Sequence, residues 1–204
     1  MFETLLSFSL ATLALAVSPG PDNIYVLTQS LVNGTKSGIA TTAGLISGCI
    51  VHTTLLAFGI SAIIIASQAL FYGIKVIGAL YLLFLAYKVY KSDASIIFTE
   101  DAPKKSHWSL FKQGVFMNLV NPKVMIFFLA FFPAFIWNTS DSTVYQIFIL
   151  GGTFMAVSFL TFSTIAILAG SISSFLKTNK QIGVVLKWLQ IVVFVGTAIY
   201  ILIP

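Results

Sequence analysis

Long apolar stretches alternate with short polar clusters along the whole chain. Read as helices, they run over about 4–32, 38–67, 70–90, 114–137, 144–171 and 184–203. Each is long enough to cross a bilayer, since a spanning helix needs about 20 apolar residues. Asn33-Gly34-Thr35-Lys36 reads as a turn between the first two helices. The third ends in the Lys88–Lys91 cluster, and Lys91 to Lys112 reads as the one extended polar loop. Asn138 to Thr143 is a short acidic connection, and Lys177, Asn179 and Lys180 mark the last turn.

The first and fourth stretches are interrupted. The first carries Ser18-Pro19-Gly20-Pro21-Asp22-Asn23 and the fourth carries Asn121-Pro122-Lys123. A proline has no amide hydrogen, clashes with the preceding turn, and steers the residue before it away from helical geometry. Broken backbone at membrane depth is tolerated only against protein or a wet cavity. The pieces on either side of Pro19-Gly20-Pro21 are too short to cross alone, so a single broken helix is the simplest arrangement. Matching interruptions half a chain apart suggest an internal repeat. Three helices per half would invert the second half relative to the first, a recurring plan in transporters. The expected fold is therefore an all-α integral membrane protein with six transmembrane helices. They form two inverted three-helix repeats (about 1–91 and 113–204, joined by a loop at 92–112), and helices 1 and 4 are broken at the proline motifs.

Composition agrees with a membrane setting. The chain is 58% hydrophobic and 8% charged, with a mean hydropathy of +0.99, far from the balance of a soluble domain. All eleven basic residues are lysines. They fall mostly in the loops after helices 1, 3 and 5, which the positive-inside rule puts in the cytoplasm, with both termini outside. The opposite side carries Glu3, Asp141 and Lys75. With the lysines explained by topology and no basic stripe present, nucleic acid is not expected as a partner. The apolar run from Met1 to Val17 resembles a signal peptide, but Glu3 is acidic and no basic residue precedes the run. It is expected to stay as the first helix. The lone cysteine, Cys49, reads as a small packing residue.

Candidate chemistry gathers at the breaks. Asp22 follows the first and Lys123 the second. An ionisable group at the centre of a span costs roughly 2.5–3.5 kcal/mol, so it normally has a partner. Asp22 and Lys123 either pair with each other or face the ammonium and carboxylate of a solute; Lys123 snorkelling to the interface is the bland alternative. Asn23, Asn118 and Asn121 add amides that suit either a zwitterion or the exposed backbone. Pro19, Gly20, Pro21 and Pro122 would shape the site. On helix 2, Ala40, Gly44, Gly48 and His52 recur every four residues, so Gly44 and Gly48 are expected to admit a close neighbouring helix. His52 either relays a proton or binds solute, or it packs as a histidine bonded across helices. The hydroxyls of helix 5 need no role beyond bonding their own backbone. His107 and Trp108 read as membrane-surface residues. One histidine and one aspartate make a poor metal site, and no cofactor is expected. No Ser–His or Asp–Asp pair, metalloprotease motif or nucleotide loop points to an enzyme.

The run Ser18-Pro19-Gly20-Pro21-Asp22-Asn23, followed by Gly34-x-x-x-Gly38 and Gly44-x-x-x-Gly48, resembles the amino-terminal motif of the LysE/RhtB family of bacterial amino-acid exporters. Asn121-Pro122-Lys123 is similar to that family's motif in the fourth helix. The resemblance covers the whole length in hydropathy. It implies proton-coupled export of amino acids or their derivatives across the bacterial inner (plasma) membrane, with a homodimer as a candidate assembly. On this reading Asp22 recognises the ammonium or carries the coupling proton, and Lys123 recognises the carboxylate or pairs with Asp22. Asn23, Asn121 and His52 stand behind them. The rivals are a cation or metal-ion exporter using Asp22, Asn23, His52 and spare carbonyls, a membrane scaffold, and a passive channel.

Overall fold

The computed structural model describes residues 1–18, 20–92, 103–138, 141–178 and 181–202, apart from the side chains at 60, 61, 63–66, 68, 123 and 176–178. In chain order the helices are α1 (Phe2–Val17), α2 (Pro21–Asn33), α3 (Thr35–Ala66), α4 (Gln68–Lys91) and α5 (His107–Leu119). They continue with α6 (Pro122–Phe131), a short 3-10 turn (Phe132–Phe135), α7 (Thr143–Ile167), α8 (Ala169–Thr178) and α9 (Gln181–Leu202). No strand occurs among the described residues.

Within α3, α4, α7 and α9 lie continuous stretches long and apolar enough to cross a membrane. Two further candidates are bent pairs. The axes of α1 and α2 meet at 60°, and those of α5 and of Val124–Phe135 at 55°. At about 1.5 Å per residue, α1 and α2 are about 24 and 20 Å long, so neither crosses a hydrocarbon core of about 30 Å alone. Counting each pair once gives up to six spans.

Local chemistry sets the joints. Gly34 alone separates α2 from α3 and has φ of +83°, a left-handed conformation that glycine adopts without penalty. Ser67 opens α4 by accepting a hydrogen bond from the Leu70 amide at 3.2 Å. Ser106 does the same for α5 with the Ser109 amide at 3.2 Å. This cap starts the helix at His107, where the sequence suggested a polar loop running to Lys112. The capping serine and the apolar Trp108, Leu110 and Phe111 outweigh the nearby lysines. The second piece of the expected fourth helix, drawn up to Trp137, instead tightens into the 3-10 turn that contains Pro133. The expected fifth helix is interrupted at Leu168 and continues as α8. Gln146, almost fully buried, staples the α6–α7 connection. Its Oε1 accepts from the Trp137 and Asn138 amides at 2.9 and 3.2 Å, and its Nε2 donates to the Asn138 carbonyl at 2.6 Å.

At the centre of the bundle, α3 packs mainly against α5 and α7, while α4 pairs with α9 and α1 with α7. Lipid supplies no hydrophobic drive between helices, so close packing must hold them. A Cβ at Gly44 would run into the Phe111 carbonyl, and one at Gly114 would lie 2.5 Å from the Thr41 carbonyl. Glycine on both sides therefore lets α3 and α5 meet backbone to backbone. A second packing device is aromatic. Phe8 of α1 sits 5.1 Å from Phe131, 5.2 Å from Phe132 and 5.1 Å from Phe135, ring centre to ring centre. Such pairs contribute about 0.5–1.5 kcal/mol each beyond burial. Leu55, Phe58, Leu80, Leu160 and Val192 are exposed on the outside, as a lipid-facing surface requires. Near the lysine-rich ends of α4 and α9, Lys88, Lys91 and Lys187 lie over the rings of Phe84, Tyr87 and Tyr90.

The α3–α5 contact yields a direct test. Gly114→Ala should lower the melting temperature in detergent, equivalent to a loss of about 1–3 kcal/mol from overpacking. Gly152→Ala should leave it unchanged or slightly raised, because nothing lies within 4 Å of a Cβ there.

Candidate functional site

The first break is built from Ser18 to Ile24. The Ser18 amide closes α1 by donating to the Ala14 and Leu15 carbonyls, both at 3.2 Å. Pro19 lies outside the described residues. Gly20 is extended (φ −158°, ψ 174°) and caps α2, with Pro21 at the first helical position, where a missing amide hydrogen costs nothing. In an uninterrupted helix the Ala16 carbonyl would accept from the Gly20 amide. Here the Asn23 side chain donates Nδ2 to it at 2.6 Å, while the Ile24 amide makes the first bond of α2 to the Gly20 carbonyl at 3.0 Å. Asp22 stands in the first turn of α2, where the helix dipole favours a carboxylate.

The second break uses a partner from another helix. Pro122 has no hydrogen for the carbonyl four residues back, which belongs to Asn118. His52 of α3 takes that place, its Nε2 lying 3.2 Å from the Asn118 carbonyl. The acceptor is a carbonyl, so Nε2 carries the proton. The Asn121 amide also donates to it at 3.2 Å. His52 is buried and tilts against Phe128, 5.7 Å between ring centres. The Asn118 side chain is buried against Cys49, with Nδ2 to Sγ at 3.5 Å. Gly48 makes room for it, since a Cβ there would lie 2.6 Å from Asn118 Oδ1.

Both breaks line one cavity of about 70 Å³. Gly20, Pro21, Asp22 and Asn23 come from the first break, and Asn118 and Asn121 from the second. Cys49 and Leu45 of α3 contribute, as do Phe154, Ser158 and Phe162 of α7. Among the residues singled out by sequence, Gly20, Pro21, Asp22, Asn23, Asn118 and Asn121 thus meet at one place. His52 stands one layer behind, holding the Asn118 backbone. The Lys123 side chain lies outside the described residues. No group of three or more His, Cys, Asp or Glu side chains able to hold a metal occurs among the described residues, and the proton on His52 Nε2 leaves that nitrogen no lone pair to offer a cation.

Sequence reasoning passed over Cys49 and Ser158 as wall residues. Ser158 looked like any helical serine. A weak signal existed: it lies two turns beyond Gly151, whose absent side chain admits Thr53 of α3, so the two share the inward face of α7.

The model of the LysE type translocator family matches residues 13–204. The chain is 32% identical over 180 residues to the homoserine/homoserine lactone efflux protein of Salmonella typhimurium (strain LT2), covering 88% of this chain and 87% of that protein. The protein of the same name from Salmonella typhi is likewise 32% identical, with the same coverage. No solved structure matches. The family match spans both breaks and nearly the whole bundle, so the chain belongs to the LysE type translocator family and is a multi-pass membrane transporter rather than an enzyme.

Proposed function

We propose that this protein exports small amino acids or their derivatives from the cytoplasm across a bacterial inner membrane, coupled to protons. The observation that carries the reading is the cavity where the two breaks meet, with Asp22 in its wall in a chain of this family. A zwitterion crossing lipid needs a fixed opposite charge and spare hydrogen-bonding groups in place of water. Asp22 recognises the substrate ammonium or carries the coupling proton. Lys123 recognises the carboxylate or pairs with Asp22 when no substrate is bound. Asn121 adds an amide to the same wall, and Gly20, Pro21 and Pro122, together with Pro19, shape it. Asn23 and His52 act mainly by holding the broken backbone open.

The α1–α2 and α5–α6 pairs each act as one broken span, related by inverted repeats of about 1–91 and 113–204. Exchanging the halves maps the α3–α5 contact onto α7–α1 and α3–α6 onto α7–α2, and all four contacts exist. The extensive α4–α6 contact has no α9–α2 counterpart of similar weight, so the symmetry would be approximate. The relatives' names favour homoserine and its lactone as first substrates to try, and a homodimer as in the sequence expectation is compatible with the exposed apolar faces of α4 and α9.

Purified protein in vesicles preloaded with a panel of amino acids should release a subset of them, faster with a pH gradient than without. Asp22→Asn should slow release by about ten- to a hundredfold, the worth of one charge-assisted hydrogen bond of roughly 1.5–3 kcal/mol. Recovery in the Asp22→Asn/Lys123→Met double variant would mean that the two charges pair. Unaltered release in Asp22→Asn would remove this site from the transport path.

Orientation is tested separately. In a Cys49→Ala background, Asp141→Cys should react with a membrane-impermeant maleimide in intact cells. Ser106→Cys should react only after the cytoplasmic face is opened. The reverse pattern would overturn the lysine-based topology.

A further inference from the structure

A lysine near the end of a span usually stretches its ammonium outward to water. Lys88 and Lys91, at the end of α4, do not. Their Nζ atoms lie 5.7 and 6.0 Å from the ring centres of Phe84 and Tyr87. Each ring belongs to the residue four positions earlier, so both ammonium groups lean back one turn along the exposed side of the helix. Lys187 of α9 reaches the same end of α4 from across the seam between the two helices. Its Nζ donates to the Ser92 carbonyl at 2.6 Å and lies 5.8 Å from the centre of the Tyr90 ring. Tyr90 in turn meets Trp188 edge to face, with 6.2 Å between ring centres. Phe84, Tyr87, Tyr90 and Trp188 are each at least half exposed. Neither α4 nor α9 contains an Asp or Glu. The next acid along the chain, Asp93, lies outside the described residues and is one negative charge against three positive.

We propose that this end of the α4–α9 seam binds an anionic phospholipid, with the phosphate among Lys88, Lys91 and Lys187 and the acyl chains along the apolar surface beside them. The proposal rests on the membrane setting alone and not on which solute is carried. The chemistry of the patch selects the occupant. A lysine ammonium has three hydrogens to donate, and Lys187 spends one on Ser92. A zwitterionic headgroup brings its own ammonium, which three lysines repel, whereas a headgroup of net negative charge brings none. Tyrosine and tryptophan suit the headgroup level, where one end of a ring is apolar and the other wet. Leu80 and Leu83 of α4 and Val185 and Val192 of α9 are exposed and offer a surface for acyl chains. A soluble acidic peptide would meet the lysines only from the water side, while two of the ammonium groups lean the other way. A second copy of the chain fits less well, because a two-fold interface on this face would set lysine against lysine.

Trp188 provides the test, since the chain has only two other tryptophans, Trp108 and Trp137. Trp108→Phe/Trp137→Phe leaves Trp188 as the single tryptophan emitter. This parent protein is placed in mixed vesicles of phosphatidylcholine and phosphatidylglycerol. One lipid or the other carries dibrominated chains, which quench tryptophan on contact. Quenching should show phosphatidylglycerol favoured beside Trp188 by about fivefold or more, the effect of one lysine at an anionic surface. Lys91→Gln/Lys187→Gln should bring that ratio to near one. Lys91→Arg/Lys187→Arg, which keeps the charge, should preserve it, and so should Lys75→Gln, far from the patch along α4. Detergent melting temperatures show whether the paired glutamine variant folds. Lys88→Gln, which disturbs no hydrogen bond to the backbone, should lower the ratio part-way and decides the matter if the pair does not. Inorganic phosphate added at constant ionic strength should leave the ratio unchanged; a fall would assign the patch to a free anion and overturn the lipid assignment. A ratio near one in the parent protein, or a ratio that folded glutamine variants do not alter, would overturn the proposal. So would a Trp188 that neither brominated lipid quenches, which would mean that protein covers the patch.

Discussion

A proline break within a span leaves a carbonyl of the preceding turn without its helical donor. In water that oxygen would turn to solvent, but in hydrocarbon it must find a partner inside the protein or cost several kcal/mol. Both breaks of this chain are organised around that constraint. At the first, Asn23 reaches back to the Ala16 carbonyl. At the second, His52 comes from α3 to the Asn118 carbonyl. These bonds let a broken backbone exist beside an apolar bundle, and with the backbone held open, Asp22 and Asn121 line one cavity.

The same constraint explains the distribution of small and large residues. The His52 bond requires α3 to lie close to α5, and Gly44, Gly48 and Gly114 remove the side chains that would hold them apart. On α6 the opposite applies. Phe127, Phe128 and Phe131 fill the space between α1, α4 and α7, joined by Phe8 and Phe154. The aromatic cluster thereby closes off the adjoining part of the bundle and separates it from the polar wall around Asp22, Asn23 and Asn121. A transporter benefits from this separation. The polar groups of the cavity wall stay close together, and the apolar remainder offers a charge no partner.

Much of this was legible in the sequence. The apolar runs gave the spans, because a bilayer demands a fixed length of helix. The prolines gave the location of the breaks, because they remove a donor whatever the surroundings. The four-residue spacing of Gly44, Gly48 and His52 put them on the face that meets α5. Three things were hidden. The start of α5 at His107 depends on one capping serine in a lysine-rich segment, and charge masked it. The partner of His52 is a backbone carbonyl, which has no side-chain pattern to read. Ser158 carries no sign that distinguishes it from Thr161 and Thr164, which bond their own helix. Only the packing of α7 against α1 and α3 decides which hydroxyls lie against a cavity.

The two breaks satisfy the constraint in unlike ways, and the difference matters mechanically. Asn23 and Ala16 belong to the same bent pair, so their bond moves with it and survives any rigid-body shift. His52 and Asn118 belong to different helices, and their bond is reinforced by Asn118 against Cys49 and by the glycine contacts on both sides. Pulling α3 from α5 would expose a buried carbonyl, a histidine and an asparagine together, with no water to receive them. Among the described residues no hydrogen bond joins α1 to α7, and the hydroxyls of Ser18, at the end of α1, and of Ser158, on α7, have no partner there. Alternating access by rocking one part of a bundle against another must follow the seam of least resistance. By this reasoning α3 and α5 travel as one block, carrying the second break intact, and the moving boundary runs along α1 and α7 beside the cavity.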